Sequence, residues 1–336
     1  MVEQKLERDR DYLEQLKRAA AIIHANQDFV LTTHLNPDGD GLGCQSALVL
    51  ALESLGKRVT VANAHPVPDI YHFLPKQETF LAASRHLERH DVAIFLECPD
   101  QGRAGGVIAV PDGAKEILNI DHHVYNSRYG TVDLIDPAAA ASGEQVWDLL
   151  DILNCQLTKR MAVGLYTAIA TDTGHFKYAA VTPRTHVIVS KLLELGLEPG
   201  YMNEQLYERV PAEALKLLGM ALAGVQYNAA GTVGWFSVTP DMLAASGAKQ
   251  NQTENFVNYV RSVDGVQVAV FFFEHANGRV KVSLRSRGAV DVSIIAHQFG
   301  GGGHQRAAGT QIEGPLAEVQ AKVLAAVEEA AAVLKG

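Results

Sequence analysis

The chain has 336 residues, of which 47% are hydrophobic and 20% are charged, and its formal net charge is −9. This length predicts two domains, each with its own core, and the composition excludes a disordered chain. The negative charge disfavours binding to long nucleic acids, which draws on many lysine and arginine contacts to phosphate, but it allows a short or mononucleotide-sized anion.

The sequence also bears on cellular location, through targeting signals, membrane spans and cysteine spacing. The start, MVEQKLERDRDYLEQLKRAAAIIHAN, is charged and heptad-like and lacks the pattern of a secretory signal. No stretch approaches the roughly 18 consecutive apolar residues of a membrane span. The three cysteines, Cys44, Cys98 and Cys155, have unrelated spacings that indicate neither a disulfide framework nor a cysteine-based zinc site. We therefore expect a cytoplasmic protein with no membrane partner.

Residues 1–190 contain short apolar runs that alternate with helical patterns. The run DFVLTT is followed by the helical pattern GCQSALVLALESLG, which Gly56 ends, and then by the strand pattern KRVTVANA. Further runs of strand length, DVAIFLE and KEILNID, occupy residues 91–97 and 115–121. This order predicts an α/β domain with a doubly wound, mainly parallel sheet.

Helix signals follow these strand patterns. Ser142 and Gln145 resemble a capping box ahead of VWDLLDIL, and Thr158 precedes the apolar helix pattern MAVGLYTAIAT. Thr182 and Pro183 open a further helix. We therefore expect three helices at the end of this domain.

The second half of the chain has a different pattern. Residues 191–225 are helical in pattern, and we interpret them as a connector. Residues 226–336 start with the strand pattern GTVGWFSV and continue with two β-rich runs around an Ala-Asn-Gly turn, which is a strong hairpin signal. An Ala-rich helix pattern follows. This half is therefore expected to be a smaller α+β domain with a mixed sheet.

Acidic and histidine side chains follow the strand patterns of the first domain. In open α/β sheets ligands bind beyond the carboxyl ends of the strands, so we expect these side chains to share one rim. A single Asp- and Gly-rich loop is usually a turn, but four segments that converge on one edge indicate a shared site. The segments contribute His34, Asp38 and Asp40; Glu97 and Asp100; Asp121, His122 and His123; and Asp172.

These residue types indicate a metal centre. Carboxylates and imidazoles without thiolates suit Mn²⁺ or Mg²⁺, and they suit Zn²⁺ or Co²⁺ less well. The ligands are too many for one ion, so we expect two ions about 3.5 to 4 Å apart that share a bridging carboxylate and a bridging hydroxide. Mn²⁺ is our first choice. Such pairs attack phosphate esters in line.

Four stretches together resemble the DHH phosphoesterase family, named for Asp-His-His, with its DHH-associated C-terminal domain. They are HLNPDGDGLG, NIDHHVYN, ATDTGHF and GGGGHQRAAG, and the resemblance spans about residues 29 to 330. The two-domain length is similar to the nanoRNase/pAp-phosphatase branch of the family. RecJ-type exonucleases usually carry further nucleic-acid-binding modules, which this sequence does not suggest.

The resemblance assigns roles to the clustered side chains. It implies metal ligation by His34, Asp38, Asp40, His122 and Asp172. Asp121 then orients an imidazole, as metal-bound histidines generally require. His123 faces the substrate, where it contacts the phosphate or protonates the leaving oxygen.

One position departs from the family pattern. The second motif normally ends its strand with Asp, whereas this chain has Glu97, whose side chain is longer by one carbon–carbon bond, about 1.5 Å. We expect Glu97 to bridge the metals, with a slight retreat of the backbone. The alternatives are that Asp100 bridges instead, or that the second metal binds weakly.

The second domain contains candidate phosphate ligands. The run GGGGHQRAAG lets backbone N–H groups approach an anion. Arg285 and Arg287 lie two apart in a strand pattern, so we expect them to point the same way and to form a fork for a terminal phosphate. The candidate substrate-binding residues are Arg285, Arg287, Gly302, Gly303, His304 and, just after the second motif, Arg103.

The resemblance implies a phosphoesterase in which a hydroxide that bridges two Mn²⁺ ions attacks phosphorus, with Mg²⁺ or Co²⁺ as substitutes. Its implied substrates are short oligoribonucleotides, including linear dinucleotides, and the nucleoside bisphosphate 3′-phosphoadenosine 5′-phosphate. A homodimer is a possible assembly.

Other functions stay open at this point. Cyclic di-AMP hydrolysis is an alternative within the class, and family II pyrophosphatases lack the GGGGHQRAAG signature. A non-catalytic nucleotide sensor is an alternative from another class, favoured by Glu97 alone. A dinucleotide-dependent oxidoreductase is disfavoured because GGGGHQ follows a helix rather than joining a strand to one.

Overall fold

The structure, a computed structural model, describes residues 10–82, 89–108, 114–253 and 255–333. The chain divides into two compact units, Met1–Arg209 and Val210–Gly336. Each unit has its own six-stranded sheet and its own hydrophobic core. Among the described residues, no helix has the length and apolar character needed to cross a membrane.

A parallel sheet forms the centre of the first unit. Its strands are β1 (Asp28–Thr33), β2 (Arg58–Asn63), β3 (Leu81–Ala82), β4 (His90–Leu96), β5 (Ala114–Asp121) and β6 (Val132–Ile135). The helices of this unit are α1 (Arg10–Ala25), α2 (Gly39–Ser54), α3 (Ser142–Ile152), α4 (Lys159–Asp172), α5 (Pro183–Glu194) and α6 (Pro199–Tyr207). The spatial order is β3-β2-β1-β4-β5-β6, and all neighbours are parallel. The predicted α/β fold is confirmed.

The strand order reverses between β1 and β4. From β1 the chain continues to β2 and β3 on one side of the sheet, and β4, β5 and β6 then extend the other side. Thr33 pairs with Leu96, so β1 and β4 end at the same level. Because the connections leave these two strands toward opposite sides, a crevice opens at their carboxyl ends, where ligands bind in this class of sheet.

Both faces of the parallel sheet are buried, which explains why its strands read as continuous apolar runs. On β1, Phe29 and Leu31 belong to a large core that they share with helices α1 to α4. The residue between them, Val30, packs on the opposite face in a smaller cluster with Phe95. Successive side chains along β1 point to opposite faces of the sheet and therefore pack into two separate cores.

Helices α2 and α4 approach each other at two glycines. A Cβ atom on Gly43 would lie 2.4 Å from the carbonyl oxygen of Gly164, and a Cβ on Gly164 would lie 2.6 Å from that of Gly43. A larger residue at either position would push the helices apart. The contact therefore fixes how closely the first half of α2 packs on the first half of α4, and the two helices carry the candidate metal ligands Asp40 and Asp172.

Two of the predicted helix starts are confirmed. The Thr158 side chain accepts a hydrogen bond from the backbone N–H of Met161 at the start of α4. Thr182 accepts one from the N–H of Thr185 at the start of α5, with Pro183 as the first helical residue. In both cases a threonine hydroxyl satisfies an N–H group that has no partner within the helix.

The predicted capping box at Ser142 and Gln145 is wrong. Ser142 is itself the first residue of α3, and the preceding Ala141 has no capping side chain. The Gln145 amide donates instead to the carbonyl oxygens of Asp121 and Leu134, both at 2.8 Å, and so ties the ends of β5 and β6 together. The first N–H groups of α3 bind a carboxylate that is distant in sequence, Asp40.

The second unit contains a mixed sheet, as predicted. Its strands are β7 (Gln226–Tyr227), β8 (Val233–Val238), β9 (Val268–Glu274), β10 (Arg279–Ser286), β11 (Gly302–His304) and β12 (Ala307–Glu313). Its helices are α7 (Ala212–Ala223), α8 (Pro240–Ser246), α9 (Phe256–Arg261), α10 (Val292–Gln298) and α11 (Leu316–Val333). The order is β11-β12-β10-β9-β8-β7, in which β8 and β9 are parallel and the other pairs are antiparallel.

The predicted hairpin of the second unit is confirmed as β9 and β10. Its turn includes Gly278, whose φ of 79° is a conformation that glycine adopts without strain. On β9, Val270 and Phe272 face the core with α10 and α11, whereas Phe271 and Phe273 face the core with α7 and α9. Helices therefore cover both faces of this sheet.

The segment 191–225 is helical in the structure, and its two helices belong to different units. Helix α6 contributes Met202 and Leu206 to the large core of the first unit. Helix α7 contributes Leu217 and Leu218 to the second unit, against the β9 face that carries Phe271.

Candidate metal centre

The carboxyl edge of the parallel sheet collects the clustered side chains of the first unit. His34 follows β1, Glu97 follows β4, and Asp121 ends β5. Asp38 caps the start of α2 and accepts hydrogen bonds from the N–H groups of Asp40 and Gly41, each at 3.1 Å. Asp172 is the last residue of α4. The site therefore lies at the crevice between β1 and β4.

The start of α3 holds two of the carboxylates. The backbone N–H groups of Ser142 and Gly143 donate to the two Asp40 oxygens at 2.7 and 3.0 Å. The Ser142 hydroxyl donates to Glu97 Oε1. Asp40 and Glu97 are almost fully buried, with relative exposures of 1% and 2%. Because a helix N-terminus favours negative charge, α3 stabilises this buried acidic pair.

Two imidazoles present the same nitrogen to the carboxylates. His34 and His122 use Nδ1 to donate to the carbonyl oxygens of Leu35 and Ala139, at 2.7 and 3.1 Å. The Nε2 of His34 lies 3.4 Å from Asp38. The Nε2 of His122 lies 3.5 Å from Glu97 and 3.3 Å from Asp172. A backbone carbonyl on Nδ1 is how proteins usually orient a histidine that binds a metal through Nε2.

Two sets of three side chains at this edge bring their donor atoms within 4.8 Å of one another. One set is Glu97, His122 and His123, and the other is Asp40, His122 and Asp172. His122 belongs to both. The donor atoms are carboxylate oxygens and imidazole nitrogens, which suit hard or borderline divalent cations.

The electrostatics of the site fit bound cations. Burial, reinforced by the charges of neighbouring carboxylates, raises the pKa of Asp40, Glu97 and Asp172. Burial alone would lower the pKa of His122, but the charges of Glu97 and Asp172 outweigh it and raise that pKa to about 9. Asp38 likewise raises the pKa of His34 against the effect of burial. The protein therefore concentrates negative charge that divalent cations would compensate.

Asp121 orients an imidazole, that of His123. Its Oδ1 accepts a hydrogen bond from Nδ1 of His123 at 2.7 Å, and its Oδ2 accepts one from the Asn126 side chain at 2.6 Å. Asp121 thus fixes the ring of His123, while the Ala139 carbonyl oxygen does the same for His122.

Glu97 and Asp100, the two alternatives for the bridging carboxylate, lie in different environments. Glu97 is buried in the cluster, and its backbone adopts a left-handed conformation with a φ of 60°. Such a conformation costs a non-glycine residue about 1 to 3 kcal/mol and persists where surrounding contacts hold it. Asp100 is exposed and accepts a hydrogen bond from the Arg103 N–H at 3.2 Å, at the start of a short 3₁₀ helix (Gln101–Ala104).

The sequence did not indicate Ser142, Gly143 or Ala139 as site residues. Ser142 carried a local signal, but that signal was interpreted as a helix cap. The contact from Ser142 to Asp40 spans 102 positions of the chain, so only the folded structure brings the two together. Ala139 acts through its backbone oxygen, which leaves no trace in the residue type.

Arg103 lies next to the edge of the first unit. Its side chain is exposed, its carbonyl oxygen accepts a hydrogen bond from Leu35 N–H at 2.6 Å, and its charge acts on His34. It is therefore placed beside the loop that carries His34.

The candidate phosphate ligands of the second unit lie around the β10–β12 region. Arg285 is half-buried on β10, whereas β10 ends at Ser286, so Arg287 follows the strand and is exposed. The backbone N–H of Arg287 still donates to the carbonyl oxygen of Gln267 at 2.7 Å, next to the last β9–β10 pair, and a shared orientation of the two arginines stays a prediction. Gly302 and Gly303 form β11 with His304, whose side chain lies outside the part that the structure describes.

Comparison with known proteins identifies the class. The family model for the DHH family N-terminal domain matches residues 28–169, and that for the DHHA1 domain matches residues 238–333. A parallel sheet that gathers carboxylates and imidazoles at its switch point, followed by this second domain, defines a phosphoesterase. The chain belongs to the DHH phosphoesterase family.

Individual relatives cover both domains. The bifunctional oligoribonuclease and PAP phosphatase NrnA of Thermus thermophilus is 35% identical over 321 residues, which are 95% of each chain. The cyclic-di-AMP phosphodiesterase PdeA of Listeria monocytogenes is 25% identical, and the match covers 91% of this chain and 48% of PdeA. The crystal structure of an exopolyphosphatase-related protein from Bacteroides fragilis matches with a TM-score of 0.90 and 25% identity, over 96% of this chain and 98% of that one.

Proposed function

We propose that this protein is a two-metal phosphoesterase that uses Mn²⁺ to hydrolyse short oligoribonucleotides and 3′-phosphoadenosine 5′-phosphate. The observation that carries the proposal is the pair of donor sets that share His122 at the switch point of the sheet. The Thermus thermophilus relative, which is 35% identical over 95% of the chain, is named for both activities.

The donor sets support two ions rather than one. Asp40 and Asp172 belong to one donor set and Glu97 belongs to the other, so each set contains a carboxylate. His34 and Asp38 add a further imidazole and carboxylate from the β1 side. Oxygen and imidazole donors favour Mn²⁺, with Mg²⁺ or Co²⁺ as substitutes. When bound, such ions polarise phosphoryl oxygens and lower the pKa of bound water.

His123 is the residue we assign to the substrate. Asp121 Oδ1 lies 2.7 Å from the Nδ1 of His123, which orients the ring. The proposed role of His123 is to donate a proton or a hydrogen bond to a phosphate oxygen or to the leaving oxygen. Asp121 acts through His123 and is a positioning residue.

The second domain is proposed to bind a substrate phosphate. Arg285 and His304 are the main candidates, and the backbone N–H groups of Gly302 and Gly303, with Arg287, are secondary ones. Arg103, in the first domain, is a further candidate for contact with a substrate phosphate. A charge-assisted hydrogen bond contributes about 1.5 to 3 kcal/mol, so we expect Arg285→Ala to raise KM about 10- to 150-fold. A KM within twofold of the wild type would remove Arg285 from the site.

The test of the function is product analysis with purified protein and Mn²⁺ on three substrates: 3′-phosphoadenosine 5′-phosphate, a linear diribonucleotide and cyclic di-AMP. The control is the double variant Asp121→Ala/His122→Ala. Hydrolysis of the first two substrates, lost in the control, is the expected result. Nucleotide binding without hydrolysis of any of the three would favour a non-catalytic sensor instead.

Cyclic di-AMP hydrolysis is the second candidate function. It is favoured by the similarity to PdeA of Listeria monocytogenes, although this chain spans only 48% of that protein. Hydrolysis of the cyclic substrate alone would replace our first proposal with this one. A cytoplasmic location and a homodimer stay predictions.

A further inference from the structure

We propose that Tyr125, together with Val124, forms a platform on which a nucleobase of the substrate stacks. This inference rests on the proposed function. It concerns the nucleobase, the part of the substrate that the metal ligands do not recognise. Tyr125 and Val124 directly follow His123 in the sequence. They therefore lie beside the residue that we assign to the phosphate.

The exposure of these two side chains is unusual in this chain. Tyr125 is 91% exposed and Val124 is 74% exposed, the two highest values among the large hydrophobic residues that the structure describes. Single exposed apolar side chains are common on protein surfaces and need no explanation. Two adjacent ones that directly follow the site residue His123 are a different case, because the chain then continues from a polar site into an exposed apolar surface.

The loop that carries the pair is held on both sides. Before it, the backbone N–H of His123 donates to Asp121 Oδ1 at 3.3 Å. After it, the Asn126 side chain donates to Asp121 Oδ2 at 2.6 Å and accepts from the Asn119 side chain at 2.9 Å. The N–H of Ser127 then donates to the carbonyl oxygen of Pro99 at 2.8 Å. The exposed side chains thus project from an anchored backbone, which lowers the entropy lost when a ligand binds.

The chemistry of the pair fits a nucleobase. Every base has a π face, so stacking on an aromatic ring binds nucleotides with little dependence on sequence. Two residues of extended chain span at most about 7 Å, so Tyr125 is within reach of a base that is one ribose away from a phosphate at His123. A charged or strongly hydrated ligand would gain little from this surface, since it offers no formal charge.

The experiment compares wild type, Tyr125→Ala and Tyr125→Phe on a linear diribonucleotide with Mn²⁺. Tyr201→Ala is the matched control, because Tyr201 is also an exposed tyrosine of the first unit, at 44%. Two further substrates each lack one base of the diribonucleotide. Loss of one stacking contact predicts a rise in KM of about 5- to 150-fold for Tyr125→Ala, with kcat little changed.

Three results support the inference together. Tyr125→Phe and Tyr201→Ala keep the KM of the wild type within about twofold, since the first retains the ring and the second lies elsewhere. One of the two abasic substrates shows the raised KM with the wild-type enzyme. Tyr125→Ala then has no further effect on that substrate, because base and ring act as one interacting pair.

Two results overturn it, and they can be told apart. If the wild type hydrolyses the diribonucleotide but Tyr125→Ala changes neither KM nor kcat, the platform is wrong and the proposed function stands. If the wild type hydrolyses no diribonucleotide, the proposed function fails and the platform fails with it.

Discussion

The switch-point edge of the first unit and the glycine hairpin of the second unit contain comparable sequence signals but differ in structure. At the edge, polar groups that would be costly to bury are buried and hydrogen-bonded: Asp40 accepts from two backbone N–H groups, and Glu97 accepts from Ser142. Such an arrangement has no benefit for a simple turn, because burying carboxylates costs free energy unless they are paired. The contacts themselves therefore indicate function.

The hairpin of β11 and β12 has an alternative physical explanation. A Cβ on Gly301 would lie 2.2 Å from the carbonyl oxygen of Gly309, and a Cβ on Gly303, whose φ is 141°, would lie 2.5 Å from that of Ala307. These two glycines are therefore required by close strand packing. At Gly302 the nearest atom to a Cβ would be 3.9 Å away, so packing does not require glycine there. A functional role is therefore best supported at positions such as Gly302, where packing does not already explain why that residue type is present.

The largest expected effect concerns the two alternatives for the bridging carboxylate. We expect Glu97→Gln to lower Mn²⁺ affinity at one of the two ions by at least about 100-fold, since even outer partners of metal ligands typically contribute 10- to 100-fold. Asp100→Asn is the matched control, because Asp100 is exposed and caps a 3₁₀ helix. Metal stoichiometry by elemental analysis after dialysis checks this. Two ions retained by Glu97→Gln, with loss in Asp100→Asn, would reverse the assignment.

A smaller effect is expected at Ser142. Ser142→Ala removes the hydroxyl that donates to Glu97 and leaves the backbone N–H on Asp40 in place. We expect Mn²⁺ affinity to fall about 10-fold, the lower end of the range for partners of metal ligands. Calorimetric titration measures it, with Ser54→Ala as control, because the Ser54 hydroxyl donates to the Ala51 carbonyl within α2, at the end of that helix. Equal affinity in Ser142→Ala and wild type would show that α3 acts through its backbone alone.

Much of the fold follows from local patterns. The strands β1, β4 and β5 each contain a short apolar run, and the threonine caps at Thr158 and Thr182 depend on contacts three residues away. Strands at the sheet edges are harder to predict. β6 has four residues and β11 has three, and the glycines of β11 and β12 hide the alternation that marks a strand.

The candidate site was predictable in its residue types and less so in its contacts. His34, Asp40, His122 and Asp172 were expected from their places at the ends of strands and of one helix. Their partners were not, because Ser142 reaches Asp40 across 102 positions and Glu97 across 45. A sequence pattern reports neighbours along the chain, whereas these hydrogen bonds depend on how β1, β4 and α3 meet.

The glycine hairpin can be tested by separating packing from phosphate binding. Gly303→Ala forces a Cβ to within 2.5 Å of the Ala307 oxygen at a φ of 141°, so we expect unfolding free energy to fall by more than about 1 kcal/mol. Gly302→Ala has room for its Cβ and should leave the melting temperature unchanged. If a substrate phosphate approaches the Gly302 N–H, the added Cβ obstructs it, and the KM of Gly302→Ala rises with no loss of stability. A stable Gly303→Ala variant would contradict the packing explanation.

The smallest expected effect is a pH dependence of metal stabilisation at the edge. In the metal-free protein the charges of Glu97 and Asp172 outweigh burial and raise the pKa of His122 from 6.5 to about 9. Because the folded value is raised, protonated His122 adds stability that is fully present below pH 6.5 and is lost as the pH rises through about 9. A metal ion needs the unprotonated Nε2, so the stabilising effect of the metal must grow over the same pH interval.

Thermal unfolding under anaerobic conditions, with and without Mn²⁺, should therefore show a larger shift in melting temperature at pH 8.5 than at pH 6.5. Loss of this dependence in His122→Ala would assign it to that ring, and a constant shift in the wild type would mean that protons and metal do not compete at His122.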